Sequence, residues 1–144
     1  MMPSAAEKDY LVIVQCHLVK ERCSGFHCEK AFHDRSGGFT NYSAQQPLRL
    51  LTMTCGGCCG RSLQRKLINL LHLSHKREQM DRSRIMVHLS TCITKASHHG
   101  PVCPHLDYLK ELISRLNLDI ARDTWISKTA EKRRQQGLYP SDPP

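Results

Sequence analysis

The sequence lacks any long apolar run. No stretch approaches the roughly 20 apolar residues that a membrane-spanning helix needs, and residues 1–8 lack the apolar core of a signal peptide. Aromatic residues are only 6% of the total, and none interleaves with the basic residues as a base-stacking surface would need, although the net charge is +8. We therefore expect a cytoplasmic protein with no membrane partner and no specific nucleic-acid partner.

The motifs of several large enzyme classes are also missing. The chain contains no G-x-S-x-G, no phosphate loop and no dinucleotide fingerprint. A cysteine–histidine nucleophile, for example Cys58 with His105, stays open, but nothing in the sequence selects it. Whether the protein is an enzyme is therefore left undecided by its sequence.

Cysteine and histidine, in contrast, are abundant, with eight and nine residues among 144. An even number of cysteines in a short secreted chain would suggest disulfides. The missing signal peptide, the chain length and the alternation of strands and helices argue against a disulfide framework. In a reducing cytosol, clustered cysteines more often bind metal or act in catalysis. The cysteines are therefore candidates for a metal site.

Four apolar runs predict strands, at residues 10–15, 48–54, 84–90 and 118–121. They recur about every 35 residues, which is the length of a βαβ unit. Helical patterns lie between them, at residues 26–35, 61–76 and 103–116. We expect an α/β fold, a three-layer sandwich with a mostly parallel, doubly wound sheet of about four strands. In the first of these helices, Phe26, Ala31 and Phe32 are expected to face the core.

The chain is expected to hold one domain. Its limits are predicted as residues 8–127, an α/β metal-binding domain, followed by a basic, proline-containing C-terminal tail at residues 128–144. Within that tail, residues 128–136 are expected to form a last helix and residues 137–144 a loose end.

The most informative stretch is Cys55-Gly56-Gly57-Cys58-Cys59-Gly60, which joins a predicted strand to a leucine-spaced helix. The turn would hold three thiols over the first turn of the helix. Backbone N–H groups and the helix dipole favour thiolate there, the form that binds metal and does redox chemistry. The two adjacent glycines permit positive φ and close backbone approach.

Other cysteines follow the other strands. Cys16 and Cys92 come after the first and third predicted strands, and the carboxyl ends of parallel strands form the functional crevice of such sheets. We therefore expect a composite metal site whose ligands are Cys55, Cys58, Cys92 and Cys103, followed by His105 and Cys16. Cys23 and Cys28 either form a second site with Cys16 or are buried thiols. His88 lies within a strand and is expected to be a core histidine.

The order of these landmarks resembles the CGGC-domain family over roughly residues 10–125. The resemblance rests on Cys16 after a strand, Cys23-x4-Cys28-x3-Phe32, the Cys55–Cys58 tetrad, His88-Leu89-Ser90-Thr91-Cys92-Ile93, and His99-Gly100-Pro101-x-Cys103-Pro104-His105.

What the resemblance implies is a cysteine- and histidine-rich domain that binds metal, with zinc expected. The residues carried over are Cys16, Cys23, Cys28, Cys55, Cys58, Cys92, Cys103 and His105. The chain departs from the family pattern twice. Cys59 stands where proline is frequent, and Asp123-Thr124-Trp125 stands where glycine–threonine–histidine is usual, so a terminal histidine ligand is missing.

Three alternatives stay open. Sulfur-rich sites suit iron–sulfur clusters as well as zinc. Cys55 with Cys58 or Cys59 would also suit a thiol redox protein or sensor. An interaction module with a purely structural metal is the third possibility. The expected partner is a metal ion, and the sequence names no protein partner.

Overall fold

The computed structural model describes residues 5–57 and 60–140. It contains a four-stranded, fully parallel sheet in the order β2-β1-β3-β4. The strands are β1 (Tyr10–Gln15), β2 (Arg49–Thr54), β3 (Ile85–Leu89) and β4 (Asp119–Arg122). The predicted α/β fold with a parallel sheet of about four strands is confirmed, and each predicted strand lies within two residues of an observed one.

Strand β1 is the centre of the molecule because both of its faces are covered. Val12 and Val14 pack into one apolar cluster with Leu63 of the helix after β2. Leu11 and Ile13 pack into a second cluster that includes Ala31. Alternate side chains of a strand point to opposite faces, so the two clusters are the two interfaces of a three-layer sandwich.

Within the described residues, six helices connect or follow the strands. They are α1 (His17–Lys20), α2 (Phe26–Asp34), α3 (Arg61–Glu78), α4 (Thr91–Thr94), α5 (Leu106–Arg115) and α6 (Lys128–Gln135). The short helices α1 and α4 have no counterpart in the sequence patterns, because four residues are too few for a helical period to emerge. Within residues 5–57 and 60–140, no helix combines the length and apolarity needed to cross a membrane.

One predicted core residue lies on the wrong side of its helix. Ala31 is buried and Phe32 is partly buried, but the Phe26 side chain is 60% exposed. At about 100° per residue, Phe26 lies about 140° around the helix from Ala31 and about 120° from Phe32. The expectation that Phe26 faces the core is therefore wrong, since the three side chains do not share one stripe.

The last helix packs on the domain through a polar contact. Ala130 is buried, and the Arg134 guanidinium donates to the Ala96 carbonyl at 3.1 and 2.8 Å and to Glu131 at 2.5 Å. The predicted helix near residues 128–136 is confirmed. The division into a domain at 8–127 and a tail at 128–144 stays a prediction.

Candidate functional site

Three strand ends bring cysteines to one edge of the sheet. Gln15 and Thr54 are register partners at the ends of β1 and β2, so Cys16 and Cys55 are the next residues on neighbouring strands. The Cys55 N–H donates to the Gln15 carbonyl at 3.0 Å, which extends the ladder by one residue. Cys92 follows β3 at the same edge. The predicted convergence of Cys16, Cys55 and Cys92 is therefore confirmed, whereas their role as ligands stays a prediction.

Cys92 lies next to Cys16 in this group. Its thiol is 2.9 Å from the Ser90 hydroxyl and accepts a hydrogen bond from the Cys16 N–H. Burial raises the pKa of the Cys92 thiol, those two hydrogen bonds oppose the rise, and the nearby Cys16 and Cys28 thiols add to it. Negative charge on the Cys92 thiol is therefore disfavoured by its surroundings.

Cys103 approaches the same group from the other side. Its backbone N–H donates to the Ile93 carbonyl at 3.0 Å, and its thiol accepts a hydrogen bond from the His105 N–H. Burial raises the pKa of the Cys103 thiol, and Cys55 and Cys16 raise it further. The His105 side chain itself is exposed at the start of α5.

Cys16 therefore links two pairs of thiols. The Cys16 and Cys28 thiols both raise the pKa of Cys92. The Cys16 and Cys55 thiols both raise the pKa of Cys103. Within residues 5–57 and 60–140, no three Cys, His, Asp or Glu side chains are grouped so that they could hold a metal ion. The donor chemistry, a set of sulfur atoms at one buried edge, nevertheless fits a thiophilic metal.

The turn after β2 is built for glycine. Gly56 has φ +88°, and a Cβ at this position would lie 2.3 Å from the Ser62 Cβ in the first turn of α3. Gly57 has φ +79° and lies against the His17 ring. The turn therefore closes tightly between α1 and α3. Cys58 and Cys59 lie outside the described residues, so the thiolate-favouring geometry predicted for this turn stays a prediction.

A cavity of about 410 Å³ lies beside the thiol group, at the carboxyl ends of β1 and β3. It brings together Cys23, Cys28 and Cys92. The Cys28 thiol is 3.1 Å from the Thr124 hydroxyl, and Thr124 is fully buried. Cys23 and Cys28 thus lie on the cavity side of Cys92, away from Cys55 and Cys103.

Trp125 also lines this cavity. Its ring stacks on His27, with centroids 3.9 Å apart and planes at 13°. Trp125, which stands in place of the usual terminal histidine, therefore provides an aromatic side chain to the cavity lining. The His98 and His99 rings lie 4.0 Å apart on the cavity lining.

His88 is a structural histidine, as its place in a strand predicts. It is fully buried, its Nδ1–H donates to the Asp123 carbonyl at 3.1 Å, and its Nε2 accepts from the Tyr42 hydroxyl at 2.8 Å. Burial lowers its pKa to about 4. Because both ring nitrogens are already paired, His88 has no lone pair free for a metal.

Sequence reasoning missed the polar residues of the cavity. Gln15 ends an otherwise apolar strand and is 3% exposed, and Lys20 and Arg22 lie in and after α1. A polar residue closing a strand that is buried on both faces is a signal that could have identified Gln15. Lys20 and Arg22 have no such signal, because α1 is too short to leave a pattern.

Comparisons with known proteins give one match. The family described as the CGGC domain matches residues 10–124, which is most of the chain. Neither a curated protein nor a solved structure matches. Metal binding is the role attributed to this family, and the matched region contains both the thiol group and the cavity. The chain belongs to the CGGC-domain family.

Proposed function

We propose that this chain binds a zinc ion at the carboxyl edge of its sheet, with Cys55, Cys58, Cys92 and Cys103 as the main ligands and Cys16 and His105 as further candidates. The observation that carries the proposal is the position of Cys16, whose thiol lies close enough to raise the pKa values of both Cys92 and Cys103. Cys16, Cys92 and Cys103 therefore lie at one edge of the sheet, close enough for their charges to interact. Cys58, from the turn after β2, would complete the set.

The raised pKa values of the Cys92 and Cys103 thiols bear on how this site would bind a cation. Burial and neighbouring thiols disfavour negative charge on Cys92 and Cys103. A bound divalent cation would offset both effects and stabilise the thiolates. The same values disfavour Cys92 and Cys103 as attacking thiols, and the redox alternative rests on Cys55 with Cys58 or Cys59.

We further propose that the protein works in a reducing compartment such as the cytoplasm. Every cysteine in the described part of the chain is a free thiol, and zinc ligands of this type need the reduced form. Cys23 and Cys28 stay candidates for a second site on the cavity side.

The test is metal analysis of protein purified without air. We expect a colourless protein with about one zinc per chain, as four sulfur ligands suit a single tetrahedral ion. Cys55→Ser and Cys92→Ser should each lose most of the zinc, and Cys23→Ser should retain it if there is one site. A brown protein that contains acid-labile sulfide would instead indicate that the site holds an iron–sulfur cluster.

A matched pair of histidine variants tests the imidazole ligand. His105→Asn should weaken zinc binding, whereas His72→Asn, an exposed change in the middle of α3, should not. Chelation is expected to leave the fold intact, because most members of the two apolar clusters on β1 are not proposed ligands. Unfolding on chelation would instead indicate a purely structural metal.

A further inference from the structure

The cavity lies where the connections between strands reverse their direction across the sheet. From β1 the chain moves outward to β2, and from β3 it moves outward the other way to β4. The cavity is lined by residues that follow β1 and residues that follow β3, and so it lies at the switch point between them. Open α/β sheets bind small ligands at this position. Its volume of about 410 Å³ is within the usual range for small-molecule sites.

A buried acceptor in this cavity has no partner. The Gln15 side chain is 3% exposed, and its Oε1 accepts no hydrogen bond from any residue in the described ranges. The loop at Gly25 closes on the same amide, since a Cβ there would lie 2.8 Å from Gln15 Nε2. A buried carbonyl oxygen without a donor costs free energy. A ligand N–H or O–H group would remove that cost.

The rim of the cavity is positively charged. Lys20 and Arg22 donate to the carbonyls of Ser24 at 2.8 Å and His99 at 3.1 Å, and neither forms an ion pair within residues 5–57 and 60–140. The lining that the structure describes contains no carboxylate. Burial lowers the pKa of His99, and His98 and Arg22 lower it further, which reflects the same positive potential. An anionic group is therefore favoured here.

Aromatic surface completes the lining. Phe26 is 60% exposed at the cavity, which accounts for its outward position on α2. Trp125, which stacks on His27, also lines the cavity. Exposed aromatic faces next to cations suit a planar, electron-poor ring.

We propose that this cavity binds a small anion with a planar, N–H-bearing ring, of the size and chemistry of a nucleoside monophosphate. The ring would lie against Phe26 and Trp125 and donate to Gln15, and the phosphate would lie near Lys20 and Arg22. This goes beyond metal binding, because none of these residues is a proposed zinc ligand, although Cys92, which is one, also lines the cavity.

Trp125 is the only tryptophan in the chain, so its fluorescence reports on the cavity alone. The full-length protein, with its metal content measured, would be titrated with AMP, GMP, CMP and UMP, and the fluorescence titrations would be repeated by calorimetry. We expect at least one nucleotide to bind with a Kd of roughly 1–100 µM. Adenosine and inorganic phosphate, which each supply half of the chemistry, should bind at least about tenfold more weakly.

Variants assign the contacts. Gln15→Leu should weaken binding about fivefold or more, because it removes the buried acceptor. Arg22→Gln should weaken it about tenfold and reduce its salt dependence. Lys76→Gln, on the exposed last turn of α3, is the matched control and should bind as the wild type does.

Three results would overturn the proposal. The first is that none of the four nucleotides binds below about 1 mM. The second is that inorganic phosphate binds as tightly as the nucleotides, which would indicate an anion site without ring recognition. The third is unchanged affinity in Arg22→Gln, an exposed substitution that does not threaten folding even if Gln15→Leu does. Arg22 is not a proposed zinc ligand, so the Arg22→Gln result distinguishes failure of this proposal from failure of the metal proposal.

Discussion

His88 ties three parts of the chain together through one buried ring. It lies on β3, accepts from Tyr42 in the loop before β2, and donates to the Asp123 carbonyl just after β4. The ring also packs on Phe39 with centroids 4.5 Å apart. A neutral imidazole satisfies both hydrogen bonds, whereas the imidazolium would lose the bond from Tyr42. Protonation of His88 should therefore make the stability of the fold depend on pH.

We expect the free energy of unfolding to fall as the pH drops from about 6.5 to about 4. The pKa of His88 is 6.5 when unfolded and about 4 when folded. Its contribution is thus complete above the unfolded value and is lost as the pH falls toward the folded one. The loss is on the order of 3 kcal/mol at most. Urea unfolding at several pH values measures it.

The exposed His72 provides the control for this pH dependence. His72→Asn should retain the loss of stability below pH 6.5, because that side chain is exposed in the native protein. An NMR titration in which His88 protonates near pH 6.5 in the folded state would contradict the prediction.

Short loops of the chain are held by direct backbone contact. The 3-10 turn Gly37–Phe39 lies against the segment after β4, and the Gly38 N–H donates to the Thr124 carbonyl at 2.7 Å. A Cβ on Gly38 would lie 2.2 Å from the Asp123 carbonyl oxygen. This contact fixes Thr124, which in turn touches Cys28 in the cavity.

Gly38→Ala should therefore destabilise the fold by about 2–3 kcal/mol, because backbone must move to relieve the clash. Thermal unfolding measures the effect. Gly137→Ala is the comparison. It has nothing within 4 Å of its Cβ, and its φ of +78° costs about 1 kcal/mol. Equal losses in the two variants would contradict the contact argument.

Helix α6 depends on one arginine. The Arg134 side chain is 7% exposed and bonds to Ala96 and Glu131, whereas Arg133 is exposed and bonds to Tyr139 at 3.3 Å. Arg134→Ala should lower the free energy of unfolding by about 2 kcal/mol, since it leaves the carbonyl of buried Ala96 and the partly buried Glu131 carboxylate with fewer donors. Arg133→Ala should change it by less than about 0.5 kcal/mol. Denaturant unfolding of the pair decides the point.

The strands could be predicted because each is a continuous apolar run, such as Tyr10–Gln15. The long helices could be predicted from their leucine spacing. The outward position of Phe26 could not, because an aromatic residue at the start of a helix has the same local pattern whether it faces the core or a cavity. The convergence of Cys16, Cys55 and Cys92 followed from the rule on strand ends. The unpartnered amide of Gln15 is a tertiary property that no local pattern contains.

For the molecule as a whole, metal binding and proton release should be coupled. Because burial raises the pKa of Cys92 and Cys103, each must lose a proton when it binds a cation. Zinc affinity should therefore fall at least about tenfold for each unit by which the pH is lowered from about 8 to about 6. Competition with a zinc-binding dye measures this slope.

Cys92→Ser should bind zinc more weakly and release about one proton fewer, because serine supplies no thiol to deprotonate. Affinity that is the same at both ends of this pH range would exclude Cys92 and Cys103 as ligands.

The pairing of β1 with both β2 and β3 also has a consequence for synthesis. Tyr10 must find Arg49 on one side and Ile85 on the other. The apolar strand β1 therefore leaves the ribosome long before β3, its second pairing partner, has been synthesised. At about 5–20 residues per second, the delay is roughly 4–15 s. Nascent chains that end before residue 85 expose one flank of this strand, and a chaperone that holds extended apolar segments should favour them over the finished protein.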